Sequence, residues 1–117
     1  MRVAGSLTAA ERDVAEAAGP RFAVARDGGA LVLRLGGDWL LARGSPDAGR
    51  ARQELRAAAQ GASTLRFDAE ALGRWDTVLP SFLVAVVRAA RAAGLEAELG
   101  GLPDGAVRLV RLATAVP

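Results

Sequence analysis

Hydrophobic and polar residues change rhythm several times along this chain, and each change marks an element. Residues 21–26 (RFAVAR) alternate, with Phe22 and Val24 on one side. Asp27-Gly28-Gly29 is a hairpin-turn signal. Residues 30–35 (ALVLRL) alternate again, setting Leu31, Leu33 and Leu35 against Val32 and Arg34. Gly36-Gly37-Asp38-Trp39 ends this hairpin, and its glycine pair permits a bulge. Trp39 reads as a lid on the core. From Ser45 or Asp47 to Gln60 a shallow stripe of Ala48, Ala51, Leu55 and Ala58 predicts a helix closed by Gly61. Residues 95–99 (LEAEL) form another alternating strand, with Leu95, Ala97 and Leu99 inward. A last helix runs to Thr114, with Asp104 as its cap and Ala106, Leu109, Val110 and Ala113 on its inner side.

The stretch 64–94 (TLRFDAEALGRWDTVLPSFLVAVVRAARAAG) organises the rest. Leu65 and Phe67 alternate with Thr64, Arg66 and Asp68, as in a half-buried strand. Asp68 to Trp75 reads as a loop holding Gly73. Asp76-Thr77 then opens an apolar helix, with Asp76 as N-cap and Pro80 in the tolerant first turn. Gly94 closes it. Leu79, Phe82, Leu83, Val86 and Ala90 make its buried stripe. Thr77, Ser81, Val84, Arg88 and Arg91 make a mostly polar ridge on the opposite side.

The predicted order is β-β-α-β-α-β-α, an α/β fold. Every strand alternates, so the sheet carries its helices mainly on one face and leaves the other more open. Strands joined through a helix are expected to be parallel. Residues 1–20 read as an N-terminal arm or short helix, with a capping-box spacing from Thr8 to Glu11 and a stop at Gly19-Pro20. Residues 21–117 read as the domain.

Composition narrows the chemistry. The chain of 117 residues contains no His, Cys, Lys or Tyr. That removes His bases, Cys and Lys nucleophiles and almost every zinc site. No metal, cofactor or catalytic residue is therefore expected. The net charge is only +2, with fifteen arginines scattered among acids, so nothing points to nucleic acid. The apolar run 82–87 is interrupted by Arg88 and Arg91 and is too short to span a membrane. Asp68, Glu70 and Asp76 bracket one loop beside a strand end, a favoured ligand position in α/β sheets. They read as a solvated loop and a helix cap, with a Mg²⁺ or acid-base site as the alternative. Arg74 and Trp75 read either as a partner contact or as a ring folded onto the helix start.

The strand-loop-helix with Asp76-Thr77 at the helix start resembles the STAS domain family, named for sulfate transporters and anti-sigma factor antagonists. The resemblance covers about residues 21–116. It implies a STAS-like mixed sheet, and a phosphorylation or regulatory role for Thr77, with Asp76 beside it. Many members carry Gly two residues after the hydroxyl residue, where this chain has Leu79 followed by Pro80. GGDWLLA (36–42), RWDT and the ending LGGLPDGAVRLVRLATAVP look most like Mla-type STAS proteins, or the STAS domain at the N-terminus of Mla-type ABC permeases. That likeness implies a non-enzymatic regulatory or assembly domain of a phospholipid transport system. Its partners would be the ABC transporter ATPase subunit and permease, at the cytoplasmic face of the inner membrane. The expected docking ridge is Thr77, Ser81, Val84 and Arg88, headed by Arg74 and Trp75. The alternative is an anti-sigma factor antagonist switched by phosphorylation at Thr77.

Overall fold

The computed structural model describes residues 19–115. The expected helix after Thr8 lies outside them. Strands β1 (Arg21–Asp27) and β2 (Ala30–Trp39) form the predicted hairpin, with Asp27 paired to Ala30 across Gly28-Gly29. Gly28 has φ 60°, which this two-residue turn requires. Helix α1 (Ala48–Ala58), strand β3 (Thr64–Trp75), helix α2 (Val78–Ala92), strand β4 (Glu96–Glu98) and helix α3 (Asp104–Thr114) follow. The sheet order is β1-β2-β3-β4. β2 runs parallel to β3 and β3 parallel to β4, as helix-joined strands should.

The expected loop between Asp68 and Trp75 is strand. β2 also continues past Gly36, where its end was expected. Gly36 pairs with Ala71, Gly37 with Leu72 and Trp39 with Trp75, with register shifts before and after the Gly36-Gly37 pair. Two features make this irregular extension possible. Gly37 adopts φ 76°, which bends the strand. The Asp38 carboxylate accepts the Arg74 backbone N–H at 2.9 Å, serving as a ladder acceptor where the backbone register slips. Gly73 lies so close to Asp38 that a Cβ there would collide with the carboxylate.

Leu31, Leu33, Leu35, Leu65 and Phe67 point from the sheet into one buried core. On α2 the predicted stripe of Leu79, Phe82, Leu83, Val86 and Ala90 is buried, widened by Val78, Pro80 and Val87. Trp39 is fully buried, and its Nε1–H donates to the Gly36 carbonyl at 3.0 Å. Its ring meets Phe82 at 4.8 Å between centroids, and Phe82 meets Phe22 at 5.2 Å. α2 ends as predicted at Gly94, with φ 81°. The Leu95 N–H returns to Ala90 O and the Gly94 N–H to Arg91 O, which satisfies the last carbonyls.

α1 starts from Asp47, whose Oδ1 accepts the Arg50 N–H at 3.2 Å. α3 departs from expectation. Pro103 holds its cap position, and Asp104 is its first helical residue with no capping bond. Ala106 and Val110 are buried as predicted, but Leu109 is exposed and Ala113 faces outward. The small Ala106 and Val110, one turn apart, let α3 approach α2 closely, and that rotation turns Leu109 and Leu112 outward. Arg88 Nη2 donates to Ala113 O and Arg91 Nη1 to Thr114 O, tying the end of α3 to α2. The opposite face of the sheet is open, with exposed Ala23, Arg34 and Arg66 around a half-buried Val32. Among the described residues, no helix is long and apolar enough to cross a membrane.

Candidate functional site at the start of helix α2

Asp76 organises the site. Its backbone N–H donates to Trp39 O at 3.0 Å, which continues the end of β2 into the helix start. Its Oδ1 accepts the Val78 N–H at 3.0 Å, a bond to the second helical N–H. Thr77 already has helical dihedrals, φ −61° and ψ −16°, so Asp76 is the working cap. The other oxygen, Oδ2, accepts the Leu41 N–H at 2.9 Å. That bond holds the single 3₁₀ turn Leu41–Arg43 against the helix. Two N–H donors favour the ionised carboxylate, Leu41 first and Val78 second, and they hold Asp76 below the usual value of 3.8. Asp38 is held low in the same way, chiefly by the Arg74 N–H and then by the Arg74 charge, against some desolvation.

The 3₁₀ turn and the helix start enclose an open cleft of about 340 Å³. Thr77 and Ser81 line it from α2, Ser45 and Leu41 from the loop, and Phe82 and Val78 form its apolar floor. Thr77 and Ser81 are exposed, and the Thr77 hydroxyl makes no capping bond. The cleft thus joins three hydroxyls to a helix N-terminus, whose dipole favours an anion.

The other predicted site residues are distributed differently. Val84 is half-buried and packs against the core. Arg88 is exposed but donates to the end of α3. Arg74 is exposed, with its guanidinium 3.5 Å from Asp38 Oδ2. Trp75 is half-buried with its ring against the first turn of α3, where a Cβ on Gly105 would stand 3.2 Å from Cη2. Of the expected ridge, only Thr77 and Ser81 come together in the cleft.

Of the acids expected around one loop, Asp68 and Glu70 sit on β3 instead, and Asp76 caps α2 as expected. Asp68 Oδ1 accepts the Glu70 N–H at 3.0 Å and Oδ2 lies 3.8 Å from Arg34. Asp76 is committed to backbone donors. Among the described residues, no three His, Cys, Asp or Glu side chains gather in a way that could hold a metal. Sequence reasoning missed Leu41, Ser45 and Asp38. The only signal was indirect, a Trp-Leu-Leu run that keeps neither a strand nor a helix period before Gly44-Ser45-Pro46.

No protein-family model matches the chain, and no curated protein matches it. Solved structures share its fold. The Bacillus cell fate determinant SpoIIAA, solved in its phosphorylated form, matches with a TM-score of 0.55 and 14% identity over 80% of this chain and 84% of that one. Mglu matches with a TM-score of 0.51 and 23% identity over 70% of this chain. The chain spans only 19% of the length of Mglu. At these identities the likeness is one of fold, and that fold is the STAS-like mixed sheet expected from the Asp76-Thr77 stretch.

Proposed function

We propose that this chain is a non-enzymatic regulatory domain that engages a protein partner through the cleft at the start of α2, with Thr77 as its phosphoacceptor. The observation carrying this reading is the exposed Thr77 hydroxyl, free of capping duty beside an already capped helix N-terminus. The Asp76 carboxylate does the structural work, which leaves Thr77 available for modification. The likeness to a SpoIIAA structure solved in its phosphorylated form supports the same reading, and favours an anti-sigma factor antagonist over a transporter component. The lipid-transport reading rests on the resemblance of three short motifs and would use the same surface with an ABC ATPase or permease as partner.

A phosphate on Thr77 would gain from the helix dipole and lose to repulsion by Asp76. The fold would tolerate it, and the cleft would present new charge to the partner. The test is phosphopeptide mapping of the chain isolated from its own cells, followed by pull-downs with Thr77→Ala and Thr77→Glu. Modification at Thr77, and retention of a kinase-type partner by only one of the two variants, is the expected result. An unmodified Thr77 together with equal partner binding by both variants would sink the reading. Recovery of a transporter ATPase instead would assign the surface to the transport system.

A further inference from the structure

Among the described residues, nothing packs on the outer face of α3, which combines exposed leucines with an excess of arginines. Leu112 is 74% exposed and Leu109 47% exposed, two of the three large apolar side chains so exposed among the described residues. Arg108 and Arg111 lie beside Leu112 on one side of the pair. At about 100° per residue, Arg111, Arg108, Leu112 and Leu109 span about 160° of helix surface, opposite the buried Ala106 and Val110. Neither arginine has an ion-pair partner among the described residues. At the C-terminal end, Arg88 and Arg91 bring two further guanidinium groups to the last carbonyls of the same helix. The one acid on α3, Asp104, lies in its first turn, one turn before Arg108 on the same side, so cations outnumber acids on this face by two to one.

We propose that this face of α3 is a peripheral docking surface for an anionic lipid bilayer, with Leu109 and Leu112 entering the interface and the arginines among the headgroups. Three observations select that occupant. The excess of cations on this face calls for an acidic surface. A second copy packed on the same face would set Arg108 and Arg111 against their own counterparts, and like-charge contacts oppose it. The two exposed leucines lie beside the arginines on one arc of the helix, the amphipathic arrangement that suits a helix lying in a bilayer interface. Long arginine side chains can keep their charge at the headgroups while leucine side chains leave water. The surface is distinct from the Thr77 cleft and does not depend on the reading of it.

The experiment is sedimentation of the full chain with vesicles of phosphatidylcholine alone, or of phosphatidylcholine and phosphatidylglycerol in equal parts. Binding to the anionic vesicles only, weakened by added salt, is expected. Arg108→Gln with Arg111→Gln should lower the partition coefficient roughly 10–30-fold. Leu109→Ser with Leu112→Ser should lower it at least about tenfold. All four positions are exposed, so melting curves should match wild type. Arg52→Gln with Arg56→Gln removes equal charge from α1 and should leave binding unchanged. The proposal is overturned if the anionic vesicles fail to bind the chain, if the α1 variant loses as much as the α3 variant, or if the leucine variant binds as wild type. It is overturned too if ultracentrifugation shows a dimer that the leucine variant abolishes.

Discussion

The carboxylate of Asp76 holds the backbone N–H of Leu41 at 2.9 Å across a sequence separation of 35 residues. One side chain thus closes the loop after β2 onto the start of α2, while its other oxygen caps that helix. Asp76→Ala should lower the melting temperature and loosen the Leu41–Arg43 turn together. Amide exchange checks this: the Leu41 and Val78 protons should lose protection in the variant. If only Val78 is affected, the loop is held by something else.

The same carboxylate makes stability depend on acid. Asp76 titrates below its ordinary value of 3.8 in the folded chain, as does Asp38. Their contribution is complete above that ordinary value and is lost as pH falls through the lower, folded value. Urea midpoints measured downward from neutral pH should therefore decline at the acid end. Asp76→Asn should show a shallower decline than wild type. Parallel curves would show that Asp76 is not linked to folding.

Leu83 is fully buried on α2, so Leu83→Ala should cost about 2–5 kcal/mol. Arg52 is exposed on α1, and Arg52→Ala should change stability by less than about 0.5 kcal/mol. Urea melts of the two variants give the comparison directly.

Two neighbouring glycines should behave oppositely. A Cβ on Gly101 would overlap the Phe67 carbonyl, whereas a Cβ on Gly100 would meet nothing. Gly101→Ala should cost about 1–3 kcal/mol or more, because backbone cannot move aside as a side chain can. Gly100→Ala should be near neutral. Equal melting temperatures would show that the turn after β4 sits farther from β3.

The contrast between those glycines shows where sequence pattern is informative. Gly100-Gly101 reads as a turn, and it is one, but only the tertiary approach of β3 distinguishes the two positions. Helix α2 was readable because Leu79, Phe82, Leu83, Val86 and Ala90 repeat at its period and Asp76 and Gly94 mark its ends. The hairpin was readable because Gly28-Gly29 between two alternating runs supplies the positive φ that a two-residue turn needs. The extension of β3 was not, because Ala69 to Trp75 has no alternation and its pairing relies on Gly37 and Asp38 in a distant segment. Helix α3 reads with Leu109 and Ala113 on its inner side, but its packing through Ala106 and Val110 leaves both of them exposed. Of the cleft, Thr77 and Ser81 were visible from the helix phase. Leu41 and Ser45 were not, because they belong to a non-periodic loop that a long-range carboxylate bond positions.

The parallel pairing of β2 with β3 also has a consequence in time. β1 and β2 can zip together as soon as their glycine turn forms, since all their contacts are local. Trp39 and Trp75 become neighbours only after the intervening chain, including α1, has been crossed over. Loop-closure entropy makes that pairing the late step. The Thr77 cleft has walls on both sides of the crossover, so a half-formed chain has no such surface to offer. A modifying enzyme or partner that reads the cleft would therefore read completed folding as well, and would pass over newly made or damaged copies.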